Sequence, residues 1–171
     1  MSSTVPNGLT QQLHNTHKQE KENVMTKYAI KANADNSLVE IVEFDELNSY
    51  ATIKEATGGG WIDCVRIPLL GVDVWIDDEG KLVENPKLNA FGTALWFLQY
   101  GMNDVVVGDI IVTGGIDEEG NTLGMTREKS IQVISEVMKI TKTVLSDTNL
   151  VASKLMENAD NPSFEIIDLE E

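Results

Sequence analysis

The stretch Glu55-Ala-Thr-Gly-Gly-Gly-Trp-Ile-Asp-Cys-Val-Arg-Ile67 sets three glycines, a tryptophan, a cysteine and an arginine close together. A glycine loop can cradle a phosphate, a thiolate is a nucleophile, and a guanidinium pairs with an anion. The glycines stand in the wrong order for a phosphate. An anion-binding loop feeds a helix N-terminus, whose free N–H groups and dipole face the charge. Gly58, Gly59 and Gly60 instead follow a helical pattern and enter a strand pattern, with neither a Lys-Ser/Thr pair nor a GxGxxG beside them. They read as a helix terminator with positive φ. Cys64, the one cysteine, has no base to activate it, because both histidines, His14 and His17, lie near the N-terminus. It reads as a small buried hydrophobe on a strand face shared with Ile62 and Arg66. A chain with no histidine after His17 excludes Ser-His-Asp and Cys-His nucleophiles and His-ligated zinc from its folded part.

The acidic turns invite a metal reading. Asp117, Glu119, Asn121 and Glu128 match ligand positions of a calcium-binding loop, but Thr122 occupies the position where that loop needs glycine. Asp77, Asp78 and Glu79 are adjacent, so their side chains diverge. Both turns read as solvated hairpin tips, and no metal or cofactor is expected. For a small anionic ligand the candidate groups flank the Gly-Gly and Asn-Pro segments: Trp61, Arg66, Asn85, Lys87, Asn89 and Trp96. Indole rings stack on planar groups, Arg66 and Lys87 meet an anion, and Asn amides read donors and acceptors. The structural readings of the same residues are core packing for Trp61 and Trp96, turn chemistry for Asn85 before Pro86, and an N-cap for Asn89.

These residues need a frame, and the chain is long enough for one domain at 171 residues. Residues 1–24 lack apolar periodicity and read as a disordered leader. A second reading takes Lys21-Glu22, a two-residue spacer and Met25 as a translated ribosome-binding site, with the native start at Met25. Runs at 28–32 and 38–44 form a hairpin around Asn33-Ala-Asp-Asn-Ser37. Asp45 caps a helix over 46–56, and strands follow at 61–67 and 72–76, the latter turning at Asp77–Gly80 into 81–83 as a second hairpin. Asn89 starts a helix to Tyr100 with Phe91, Ala94, Leu95 and Leu98 as its stripe and Gly101 as its stop. Val105 to Thr113 reads as an internal strand. Thr126 caps a long helix to about Leu145, whose broad stripe suggests two packing partners. A shorter helix is expected over 147–159, before an acidic end. The class is α+β: a largely antiparallel sheet built from hairpins, helices packed on one side, and a C-terminal helical extension. The divisions are a leader at 1–24, an α+β domain at 25–125, C-terminal helices at 126–159 and an acidic tail at 160–171.

The formal net charge is −15. Residues 26–126 carry 6 basic and 17 acidic side chains, a net of −11; residues 127–156 carry 5 and 3, a net of +2; residues 157–171 carry none and 6, a net of −6. Such a surface repels a phosphate backbone, so direct nucleic-acid binding is not expected. Neither a spanning segment nor a signal peptide is present in the sequence, which implies no membrane and a cytoplasmic setting. The basic helical region beside an acidic body points to a homo-oligomer, with a dimer expected.

"GGWIDCVRI" (59–67), "IDDEGKLVENPKLNA" (76–90) and "VGDIIVTG" (107–114) together resemble a family of small domains of unknown function carried mainly by bacteriophages and other mobile elements. The shared pattern is a helix ending in Gly-Gly-aromatic, an acidic Glu-Gly turn, an Asn-rich Pro segment and a Val-Gly-Asp strand. It covers roughly residues 27–124, and the long helix and acidic end depart from it. The resemblance implies an accessory protein in a bacterial host cytoplasm and brings no reaction with it. Three functions follow as expectations. The first is a non-enzymatic binding protein, acting in counter-defence by sequestering a nucleotide-type signal or a host protein. The second is an acidic mimic of nucleic acid that inhibits a DNA-binding or restriction protein, and the third a carboxylate- or metal-dependent hydrolase.

Overall fold

The computed structural model describes residues 25–35 and 38–146, with side chains as far as 140. The leader, the expected helix at 147–159 and the acidic end lie outside the described residues. Five strands form one antiparallel sheet: β1 Tyr28–Ala32, β2 Val39–Glu43, β3 Ile62–Ile67, β4 Val72–Asp77 and β5 Ile110–Thr113, in the order β2-β1-β5-β4-β3. Three α-helices join them: α1 Ser49–Ala56, α2 Ala90–Tyr100 and α3 Arg127–Ser146. The α+β class and the antiparallel sheet stand as the sequence implied.

The layering differs from the expected single helical side. Alternation along the strands divides their apolar side chains between two faces. On one face Ile30, Ala32, Ile67, Val72, Val74, Ile110 and Val112 pack with Phe91, Ala94 and Leu95 of α2 and Val133 and Val137 of α3. On the other, Ala29 and Ile111 pack with Phe44 and with Ile53 and Ala56 of α1. The sheet is therefore sandwiched, with α1 alone on its second face. The reason is legible in β5, where all four residues are buried, a pattern that only cover from both sides can satisfy.

Local signals end the elements where they should. Leu47 N–H donates to Asp45 Oδ1 at 3.0 Å, Gly92 N–H to Asn89 Oδ1 at 2.8 Å, and Lys129 N–H to Thr126 Oγ1 at 3.2 Å, so all three expected caps form. Gly101 closes α2 at φ +75°.

Two strand expectations are corrected. The second hairpin is β3–β4, joined through Pro68–Gly71 with Leu70 N–H on the Ile67 carbonyl at 3.0 Å. Residues 80–82 form a short 3-10 turn instead of a strand, and the ammonium of Lys81 leaves the sheet for Asp104, 2.6 Å away. The strand expected over 105–113 is cut to its last four residues. Gly108 turns the chain at φ +74°, and Val105 to Val107 run beside the start of α2, where Thr93 Oγ1 takes the Val106 N–H at 3.0 Å.

The stripe of α3 packs in part against one core, and no second packing partner is seen among the described residues. Val133 and Val137 are buried and Ile134 and Ile140 pack against the same core, whereas Ile131 and Met138 stay 49% and 37% exposed.

Leu95 is fully buried at the centre of α2. Leu95→Ala is expected to destabilise the fold by about 2–5 kcal/mol, through lost transfer energy and the cavity left behind. Urea unfolding measures it, and a loss below about 1 kcal/mol would place the α2 stripe outside the core.

Candidate functional site

The three glycines do what their order implies. Thr57, Gly58 and Gly59 donate to the carbonyls of Ile53, Glu55 and Lys54, which closes the end of α1. Gly58 and Gly59 take φ of +94° and +87°, and a Cβ on Gly60 would sit 2.8 Å from the Asp77 carboxylate. The segment terminates a helix and lets β3 start against β4.

The six candidate ligand residues do not converge. Strand register sets two ends of the sheet: Ala32, Ile110, Asp77 and Ile62 share one, while Tyr28, Thr113, Asp73 and Arg66 share the other. Trp61 lies at the Ala32 end of the edge strand β3, 73% exposed, so its core reading is wrong. Lys87 is at the same end but on the β1 side, where it pairs with Asp35 in the β1–β2 turn. Three strand spacings separate β1 from β3, about 14 Å. Asn85 is exposed in a turn at φ +57°.

Asn89 is 1% exposed and fully engaged. Its amide donates to the carbonyls of Ala32 and Gly108, both at 2.9 Å, while Oδ1 caps α2. It has nothing left for a ligand, because a buried amide with its donors and acceptor used is a structural tie.

Trp96 is linked to the backbone carbonyl of Arg66 through a residue the sequence reading missed. Tyr100 packs its ring on Trp96 with centroids 4.7 Å apart and donates its hydroxyl to the Arg66 carbonyl at 3.0 Å. Trp96 Nε1 donates to Asn103 Oδ1 at 2.7 Å, so the indole is held by polar and stacking contacts at once. The signal for Tyr100 was its spacing of one helical turn from Trp96.

A second missed residue is Asp73, directly opposite Arg66 in the β3–β4 ladder and 5% exposed. Its Oδ2 has no hydrogen-bond partner. Burial raises its pKa above the usual carboxylate range, against the opposing pull of Arg66 and a hydrogen bond from Cys64. Cys64 is half-buried, and its thiol is pushed up to about 12, first by burial and then by the Asp73 charge. The thiol is therefore protonated at neutral pH and a poor nucleophile. An acid inside the apolar run Val72-Asp-Val-Trp was the available sign of a buried carboxylate.

The acidic turns take no part in this cluster. Asp117 accepts from the Asn121 backbone N–H at 2.7 Å and from its side-chain amide at 2.8 Å, contacts that hold its carboxyl below the usual range. Among the described residues no three His, Cys, Asp or Glu side chains are placed to share a metal ion. Nor is any described helix long and apolar enough to cross a membrane.

A family profile described as a domain of unknown function, DUF3846, matches residues 25–139, and the chain belongs to that family. The match takes in all five strands and runs well into α3, beyond the 27–124 reached by the motifs. No curated protein and no solved structure matches the chain.

Because Asp73 holds its proton more tightly folded than unfolded, its contribution to stability falls as pH rises through the carboxylate range. Asp73→Asn removes that penalty. The variant is expected to gain melting temperature over the parent at pH 7 and to match it at pH 3, where both side chains are neutral. A lower melting temperature for the variant at pH 7 would show the carboxylate to be engaged and stabilising.

Cys64 is expected to react with a disulfide reagent at pH 8 far more slowly than free cysteine, whose pKa is about 8.5. Asp73→Asn should speed the reaction by removing the nearby negative charge. A parent rate equal to that of free cysteine would contradict the raised pKa.

Proposed function

We propose that this chain is a non-enzymatic accessory protein of a phage or other mobile element, which binds a host protein stoichiometrically and withholds it, in a counter-defence role. The dispersal of the six candidate ligand residues carries the choice of partner. Trp61, Lys87 and Asn85 lie on separate parts of one end of the sheet, Arg66 lies at the other, and Asn89 is consumed by the fold. Groups spread over a surface suit a protein partner, whereas a small ligand needs them in one concavity. The phage setting rests on the three motifs at 59–67, 76–90 and 107–114.

The other readings have less support. Of the two candidate cations for a nucleotide-type signal, Lys87 is paired with Asp35, and Arg66 stands next to a buried carboxylate that repels phosphate. A mimic of nucleic acid needs its acidic groups on one surface, but Asp77 ends β4 and Asp78 and Glu79 follow it at the Ala32 end, whereas Asp117, Glu118 and Glu119 follow β5 at the Thr113 end. A hydrolase built on carboxylates needs a convergent pair, and Asp73 faces an arginine and a thiol instead.

The test is tagged expression in a bacterial host, purification, and mass measurement of the complex by light scattering. In parallel, the protein is incubated with a panel of cyclic and linear nucleotides and the ligand released by heat. A complex with host protein at a fixed stoichiometry, with no nucleotide retained, is the expected result. Retention of an intact nucleotide would replace this reading with small-signal sequestration, and a chemically altered nucleotide would make the protein an enzyme.

A further inference from the structure

Three large apolar side chains stand in solvent around one short turn. Trp61 is 73% exposed, Leu82 81% and Val83 54%. Asp78 N–H donates to the Trp61 carbonyl at 2.8 Å, and Leu82 N–H donates to the Glu79 carbonyl at 2.8 Å, so the 3-10 turn at 80–82 begins beside Trp61. A Cβ on Gly60, which precedes Trp61, would meet the Asp77 carboxylate at 2.8 Å, so that carboxylate would have to shift.

The charge around these groups has one sign. Asp78, Glu79 and Glu84 are exposed, and none of them has an ion pair among the described residues. The one cation inside the segment, Lys81, is turned away to Asp104, at 2.6 and 2.7 Å from its two oxygens. The patch thus combines an exposed aromatic and two aliphatic groups with uncompensated carboxylates. Exposed indole and leucine side chains at one place mark an interaction surface, and aromatic anchors carry much of the energy at such surfaces.

We infer that Trp61, Leu82 and Val83, ringed by Asp78, Glu79 and Glu84, form the docking surface for a basic amphipathic segment of a partner protein. The apolar side chains of that segment cover Trp61 and Leu82, and its lysines or arginines meet the carboxylates. Charge complementarity selects this occupant: the turn's own lysine is taken, so the positive charge has to come from outside. A second copy of this chain fits poorly, since the same face would bring the same negative charges together. The inference rests on the protein being a binder and specifies where and what it binds.

The opposite acidic turn supplies an internal control, because Glu118 and Glu119 are also exposed and lie at the far end of the sheet. The probe is a fluorescein-labelled synthetic amphipathic helix of lysine, leucine and alanine, with a glutamate-for-lysine version as its partner control. Binding is read by anisotropy to the full chain. The parent is expected to bind the basic peptide and not the acidic one. Leu82→Ala and Trp61→Ala should each weaken it about tenfold, the size typical of an anchor residue. Asp78→Asn with Glu79→Gln should weaken it similarly and flatten its salt dependence, whereas Glu118→Gln with Glu119→Gln, an equal change of charge, should alter it less than about twofold. Thermal unfolding confirms that the variants fold, as substitutions at such exposed positions should allow.

Equal losses for the two paired charge variants would reduce the effect to net charge and overturn the inference. So would binding that survives loss of Trp61 and Leu82, or no binding at all. These results leave the host-protein reading standing if the tagged protein still forms its stoichiometric complex. A nucleotide retained or altered in the panel experiment removes that reading while leaving the peptide result intact.

Discussion

The fold closes on Asn89. Its side chain reaches the last residue of β1 through the Ala32 carbonyl and the turn before β5 through the Gly108 carbonyl, and it caps α2 through Gly92. The backbone N–H of Asn89 adds a bond to Val106 and its carbonyl accepts from Thr93. Strand, turn and helix therefore share one buried amide. Each bond alone is worth about 1 kcal/mol net, but an orphaned buried partner costs about 1–3 kcal/mol, so the arrangement holds as a unit. Asp109 extends the same junction by holding Asn33 and Ala34 at the head of the β1–β2 turn, 3.0 and 2.8 Å away.

From that junction the rest of the architecture follows. With α2 fixed at the Ala32 end, it runs across the sheet to put Tyr100 beside β3 at the Thr113 end. The same placement commits Phe91, Ala94 and Leu95 to one face of the sheet. The other face is left to α1, a helix of 8 residues, and to Phe44. The edge strand β3 is partly blunted by its own neighbours: Asp63 takes the Cys64 N–H at 2.7 Å, and Tyr100 occupies the Arg66 carbonyl. Such capping discourages strand addition along this edge.

Electrostatics divides the molecule in a similar way. At the Thr113 end a carboxylate is buried without a full set of partners, beside a thiol that burial and this carboxylate keep protonated. At the Ala32 end the carboxylates are in water, next to apolar side chains that are also in water. The first arrangement is internal and destabilising at neutral pH; the second is external and available.

Much of this was legible before the fold. The caps at Asp45, Asn89 and Thr126, the stop at Gly101 and the reversed order of Gly58–Gly60 all depend on near neighbours along the chain, which the sequence lists directly. The apolar alternation of the strands also sufficed for an antiparallel α+β class. What it left open was decided at long range. Val105–Val107 have the composition of a strand, yet Thr93 and Gly108 divert them. Lys81 belongs to a strand pattern, yet Asp104 draws it away. Asn89, read as a ligand group or an N-cap, is the cap but is also buried in the core, and Trp61, read as a ligand group or a core residue, stands in solvent. Local propensity is set by a few adjacent residues. Burial and partnership are set by which distant segments arrive, and here the sheet register and the Asn89 junction made that choice.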